Sequence, residues 1–224
     1  MTAMPGSAQE TPRPPETAEF GAVRGGGPAH EYPPEDGLRV RKFCVGPYEN
    51  NVYVVSSDDA AVIVDGADEA DRILGEVRGL QVEAILETHD HPDHVQALPA
   101  LVEALGAPVL ASPDDRWPVA TEPLEDGRRL RVGGHEIEAL HTPGHTPGST
   151  CFLAGGFLFS GDTLFPGGPG NTGGDASRFG RIMASLDALF ARLPDDTRIC
   201  PGHGIDSTIG RERQYVEAWR TRGW

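Results

Sequence analysis

Apolar and polar positions alternate in short blocks from residue 38 onward, and most blocks end at glycine, proline or aspartate. The period-two pattern of residues 38–45, 51–57 and 60–65 predicts three strands, separated by turn chemistry at Gly46-Pro47 and Ser57-Asp58-Asp59, in an antiparallel meander. Residues 67–80 carry Ile73, Leu74 and Val77 at helical spacing, and residues 82–86 return to strand character. Residues 94–106 resume a helical stripe through Val95, Leu98, Leu101, Val102 and Leu105, with Gly106 as terminator and Pro108 just beyond. The second half repeats the scheme, with strands predicted at 108–111, 129–132, 135–141, 149–153 and 157–160 and a helix over 178–193. A last strand at 198–200 and a helix over 209–219 close the chain. Two strand-rich halves, each followed by helices, pack most economically as two sheets face to face with helices outside.

Composition narrows the possible partners. The 224 residues hold 34 Asp and Glu against 19 Lys and Arg, a formal charge of −15, which disfavours broad contact with nucleic-acid phosphates or anionic lipid. The longest apolar runs, such as residues 60–64, fall far short of the ~20 residues that a membrane helix needs. A small-molecule substrate is therefore the expected partner. Residues 1–35 are rich in proline, glycine, threonine and glutamate and show no hydrophobic signal segment, so the expectation is a disordered tail ahead of one domain at residues 36–224. Cys44, Cys151 and Cys200 are odd in number, widely spaced and set in apolar sequence, as reduced core residues of a cytoplasmic protein would be.

Chemistry concentrates in Thr88-His89-Asp90-His91-Pro92-Asp93-His94, where a predicted strand ends. Neutral imidazole and carboxylate are the ligand types that bind zinc or iron, so this cluster reads as half of a metal site. Three later segments place a histidine or aspartate beside small residues after an apolar strand: His145 in Thr-Pro-Gly-His-Thr, Asp162 in Ser-Gly-Asp-Thr and His203 in Pro-Gly-His-Gly. Small neighbours let the backbone turn sharply and bring a side chain close to an ion.

The order His-x-His-x-Asp-His, then His145, Gly161-Asp162 and Gly202-His203-Gly204, resembles the metallo-β-lactamase superfamily over residues 38–224. The segments around His145, Asp162 and His203 are most similar to the hydroxyacylglutathione hydrolase (glyoxalase II)-like branch. The resemblance implies an α+β fold, a four-layer αββα sandwich of two mixed sheets flanked by helices. It implies that His89, His91 and His145 bind one Zn2+, that Asp93, His94 and His203 bind a second, and that Asp162 bridges them; iron or manganese are the alternatives. Asp65 matches a family aspartate that orients a ligand histidine.

The activity so implied is hydrolysis of a small acyl-thioester by a hydroxide held between two ions, with Asp93 managing its proton. The first alternative is a sister-branch oxidoreductase, a persulfide dioxygenase with one iron on His89, His145 and Asp162. The second is a metal-stabilised binding protein without turnover. The chain ends soon after His203, without the basic helical extension of glyoxalase II enzymes that hold glutathione, so the carrier thiol stays open. His30, His135 and His141 match no ligand position and are excluded. The glycine-rich stretch 167–174 lacks the Gly-Lys-Ser/Thr ending of a phosphate loop and reads as a loop at the site's edge. Asn171, Thr172 and Arg178 there fit either substrate contact or a solvated connector, and carry no assigned role.

Overall fold

Both faces of the central strands are buried, which is why their sequences read as near-continuous apolar runs. In a computed structural model, which describes residues 16–223, a 3-10 turn at Ala18–Phe20 leads into strands β1 (His30–Glu31), β2 (Arg39–Val45), β3 (Asn50–Ser57) and β4 (Ala60–Val64). Helix α1 (Ala70–Glu76), β5 (Gln81–Leu86), α2 (Pro92–Val95), α3 (Leu98–Leu105), β6 (Val109–Ala111) and β7 (Glu122–Pro123) complete the first half. The second half holds β8 (Arg129–Val132), β9 (His135–His141), β10 (Thr150–Ala154), β11 (Phe157–Gly161), β12 (Leu164–Phe165) and β13 (Gly168–Pro169). It ends with α4 (Ala176–Arg192), β14 (Arg198–Pro201), β15 (Ser207–Thr208), α5 (Ile209–Arg213) and α6 (Val216–Arg222).

One sheet has seven strands in chain order, β1 to β7, antiparallel through β4 and parallel from β4 to β7. The other has six, β15-β14-β11-β10-β9-β8, with β11 and β14 as its parallel pair. Alternation sorts the side chains into layers. Tyr53, Val55, Val62 and Leu86 from the first sheet meet Ile137, Phe152, Phe159 and Cys200 from the second. The opposite face of the first sheet, through Val54, Ile63 and Ile85, packs on Ile73, Leu98 and Leu101 of α1 and α3. Leu158 and Ile199 do the same for the second sheet against Ile182, Leu186 and Trp219. The expected four-layer αββα sandwich of two mixed sheets is the observed architecture. Among the described residues, no helix is long and apolar enough to cross a membrane.

Several boundaries differ from the sequence reading. Residues 94–106 form two helices, because Ala97 turns its N–H to Gly66 and Ala67 carbonyls and Pro99, with no N–H, sits in the first turn of α3. The helix over 67–80 shortens to α1, since Glu69 is left-handed at φ 50° and Gly79 at φ 86°. Helix α4 starts early because the Asp175 carboxylate caps Ser177 and Arg178 N–H. The final helix divides into α5 and α6.

The expected tail also needs correction. Residues 1–15 lie outside the described residues, but part of residues 16–35 is ordered against the domain. His30–Glu31 pairs with β2, and the buried Tyr32 donates its hydroxyl to Asp206 at 2.7 Å. One aromatic residue with a fixed hydroxyl partner outweighs the polar composition around it.

Candidate metal centre

The loops that follow β4, β5, β9, β11 and β14 bring Asp65, the His89–His94 cluster, His145, Asp162 and His203 together. Glycine permits the approach. A Cβ on Gly202 would lie 2.4 Å from Asp162 Oδ1 and 2.7 Å from His94 Cε1, so any larger residue would displace both.

All seven residues expected as ligands converge. Ligand atoms of His89, His91 and His145 lie within 4.8 Å of one another, as do those of Asp93, His94 and His203, and a third group joins His89, His94 and Asp162. His91 Nδ1 is 3.2 Å from His89 Nε2 and 2.9 Å from His145 Nε2. On the other side, His94 Nε2 and His203 Nε2 are 3.3 Å apart, with Asp93 Oδ2 at 3.7 and 3.4 Å from them. Asp162 lies between, with Oδ1 3.5 Å from His94 Nε2 and Oδ2 3.5 Å from His145 Nε2 and 3.8 Å from His203 Nε2. Its buried Oδ1 has no hydrogen-bond donor among the described residues. An orphaned buried carboxylate oxygen facing imidazole nitrogens is costly by itself and fits a cation.

The outward nitrogens are tied down. His94 Nδ1 donates to Asp65 Oδ2 at 2.9 Å, and Asp65 also accepts from Thr88 N at 2.8 Å and Thr88 Oγ1 at 2.9 Å. With its proton spent on Asp65, the Thr88 hydroxyl accepts from His89 Nδ1 at 3.0 Å. His145 Nδ1 donates to the Asn171 carbonyl at 2.7 Å, and His203 Nδ1 to the Tyr48 carbonyl at 2.9 Å. Each of these bonds fixes a ring with Nδ1 outward and Nε2 inward, the nitrogen that would take a metal ion.

Charge follows burial and partners. Burial pushes the His89 imidazole well below its ordinary value, helped by the neighbouring histidines, and also lowers His145. Both therefore present neutral nitrogen. Burial works against charge on His94 too, but the Asp65 hydrogen bond and the charges of Asp65, Asp162 and Asp93 outweigh it and hold the ring up to about 9. For Asp93, burial is outweighed by the Asn50 Nδ2 hydrogen bond at 2.9 Å and by His94, which keep the carboxyl below its usual range.

Asp65→Asn replaces a three-fold acceptor with a group that carries one acceptor and one donor, so it must lose at least one of these bonds. Metal affinity is expected to fall about 10–100-fold, read by competitive chelator titration. Unchanged affinity would remove Asp65 from the positioning of His94.

Several contributors carried no signal in the sequence. Asn50 and the Tyr48 carbonyl come from a turn between predicted strands, far from any histidine in sequence. The loop at 167–174 is more than a connector, since Asn171 orients His145 and the side chain of Thr172 is buried. Arg178 donates Nε to the Gly144 carbonyl at 3.2 Å and Nη2 to the His145 carbonyl, gripping the backbone that carries this histidine. The excluded residues stay outside the cluster: the His30 ring packs edge-on to Tyr32 at 4.5 Å, and His141 Nε2 bonds the Pro147 carbonyl at 3.2 Å. Cys200 lies between the sheets, where burial pushes its thiol well up and keeps it inert.

Comparison with known proteins agrees with this geometry. An uncharacterized protein of Aquifex aeolicus (strain VF5) is 32% identical over 199 residues, spanning 79% of this chain and 94% of that one. Among solved structures, TTHA1623 in a di-iron-bound form is 36% identical with a TM-score of 0.66, over 77% of this chain and 96% of that one. A metallo-beta-lactamase from Staphylococcus aureus subsp. aureus COL superposes with a TM-score of 0.73 at 25% identity over 83% of this chain, which spans 63% of the longer protein. The sequence profile of the metallo-beta-lactamase superfamily matches residues 45–203, from the end of β2 through His203. With the profile spanning every segment that delivers a residue to the centre, the chain belongs to the metallo-beta-lactamase superfamily.

Proposed function

We propose that the protein is a two-metal hydrolase of small acyl-thioesters. The observation that carries this reading is the sorting of the seven residues into two mutually close sets with Asp162 between them. His89, His91 and His145 would hold one ion, Asp93, His94 and His203 the other, and Asp162 both. Bound zinc, or iron or manganese in its place, supplies Lewis acidity and brings water toward ionisation near neutral pH.

The remaining work falls to the chain. The Asp93 carboxylate, kept charged by Asn50 and His94, accepts a hydrogen of the attacking water and orients its oxygen toward the acyl carbon. The new C–O bond forms as the C–S bond breaks, giving one carboxylic acid and one thiol per water consumed. A thiolate is a stable enough leaving group to depart without an acid beside it. Asp65, Thr88 and the Asn171 and Tyr48 carbonyls hold the imidazoles in place, so no reorganisation accompanies the step.

Iron is the second metal to weigh, because the di-iron TTHA1623 is 36% identical. A one-iron oxidoreductase would instead draw on His89, His145 and Asp162, leaving the other four converging residues without a role in metal binding. The test is metal analysis of the purified protein with a panel of acyl-thioesters, esters and lactams. Two ions per chain and thioester turnover lost on chelation and restored by zinc are expected. A metal-loaded protein inactive across the panel that takes up oxygen on a thiol persulfide would overturn the proposal.

A further inference from the structure

The residues proposed for the first ion come from two loops, His89 and His91 after β5 and His145 after β9, and a third loop that supplies no ligand touches both. It is the turn of residues 112–117, after β6. Arg116 donates its N–H to Asp90 Oδ2 at 3.0 Å, between the two histidines of the first loop. Asp115, buried where its neighbour Asp114 is exposed, accepts the Thr146 hydroxyl on Oδ2 at 2.7 Å and the Gly148 N–H on Oδ1 at 2.7 Å. The turn is itself anchored, since Trp117 Nε1 donates to the Ser112 carbonyl at 2.8 Å and its ring packs on the layer that holds Ile63, Ile85 and Leu98.

The fit at Asp115 is close. A Cβ on Gly148 would lie 2.6 Å from the Asp115 Cγ, so the glycine is what lets the carboxylate reach the backbone. With its proton given to Asp115, the Thr146 hydroxyl takes one from Ser149 Oγ at 2.9 Å, and that oxygen in turn accepts the Thr146 N–H at 2.9 Å. The Gly144 N–H closes on the Thr146 carbonyl at 2.9 Å and the Thr142 N–H on the Ser149 carbonyl at 2.7 Å, which makes residues 142–149 one hydrogen-bonded unit around His145. Arg178 grips that unit by the Gly144 and His145 carbonyls, and Asp115 by the donors that follow them. The ring so carried sits with Nε2 2.9 Å from His91 Nδ1.

We infer that Asp115 is the positioning residue of the first ligand set: it holds the His145 loop against the His89–His94 loop, and that set depends on it while the second does not. The inference rests on the two-metal reading of the centre and is independent of the substrate. Without the carboxylate, a buried hydroxyl and a buried N–H lose their acceptor, and the unit relieves them only by shifting, taking His145 with it. The second set hangs on other supports, His94 on Asp65 and His203 on the Tyr48 carbonyl.

The test uses the full chain with isotope-labelled histidine, first without metal. Asp115→Ala is expected to shift the ring signals of His145 and His91 and to leave those of His94 and His203 in place. Asp115→Asn is expected to return them, because asparagine keeps an acceptor for the Gly148 N–H and donates to Thr146 once that hydroxyl turns its proton to Ser149. Should the alanine variant not fold, Thr146→Val, which removes one of the two bonds and no charge, is expected to give the same pattern more weakly. Zinc titration against a competing chelator then reads the ions: Asp115→Ala should weaken one of them about 10–100-fold, and its combination with Asp65→Asn should weaken both. Ring signals that all move together, or none that move, in a folded variant would overturn the inference, as would a double variant in which only one ion is weakened. An unaltered chain that binds no second ion would defeat the two-metal reading instead, and the ring signals of the metal-free chain decide the role of Asp115 without it.

Discussion

Asp162→Asn is expected to lower kcat/KM on the preferred thioester by about 10³-fold and to remove about one ion per chain. The size follows from what the carboxylate does in the proposed centre. Lewis-acid stabilisation from a bound metal is worth several kcal/mol, and each ~1.4 kcal/mol is a factor of ten in rate. Asp162 directs one oxygen to His94 and the other to His145 and His203, so it faces both ligand sets. Asparagine keeps the volume but loses the charge, and its amide nitrogen has no lone pair to offer a cation where the second carboxylate oxygen stood. The variant should fold, since the same volume meets the same neighbours. Metal analysis by mass spectrometry and steady-state kinetics check the result. Two retained ions and activity within tenfold of the unaltered protein would show that Asp162 does not bridge.

The centre was legible in sequence because its residues follow apolar strands and stand beside glycine, as with Asp162 after β11 and His203 after β14. Strands β4, β5, β9, β11 and β14 run so that their following loops meet in one place, and a ligand type at each of these strand ends reports that place. The sandwich was legible for the same reason that its strands alternate: Val62 and Ile63 face different layers. Two-residue strands such as β7, β12, β13 and β15 are too short to show any period, so none could be anticipated. Backbone acceptors are equally silent, because the carbonyls of Tyr48 and Asn171 carry no residue-type signature. Buried polar pairing is the hardest to read. Lys42 follows the inward period of β2 on the face of Val40, where a sequence reading expects an apolar side chain and offers no hint of a partner at residue 206.

That pair supplies the second large effect: Lys42→Met is expected to destabilise the fold by about 3–5 kcal/mol, the usual cost of removing one member of a buried ion pair. Lys42 Nζ lies 2.8 Å from Asp206 Oδ1 and 2.7 Å from the Gly204 carbonyl, and both side chains are wholly buried between the sheets. Without the ammonium, Asp206 keeps, among the described residues, only the Tyr32 hydroxyl at 2.7 Å and Arg198 at 3.4 Å. For a chain of this size the loss corresponds to a Tm lower by on the order of 10 °C, read by thermal unfolding of the metal-free protein. Replacing the whole polar set, Lys42→Met with Asp206→Leu and Tyr32→Phe, removes the charges and the hydroxyl together and should recover at least half of the lost stability. It should not recover the centre. The Pro201 and Gly204 carbonyls, held by Asn51 at 2.8 and 2.9 Å, bracket His203, and Lys42 and Asp206 complete that clamp. Metal affinity of the stabilised triple variant is therefore expected to stay about tenfold or more below that of the unaltered protein, as for other groups that position a ligand. A Lys42→Met Tm within 2 °C of the parent would mean that the pair adds nothing to stability. Full metal affinity in the triple variant would mean that His203 is placed without it.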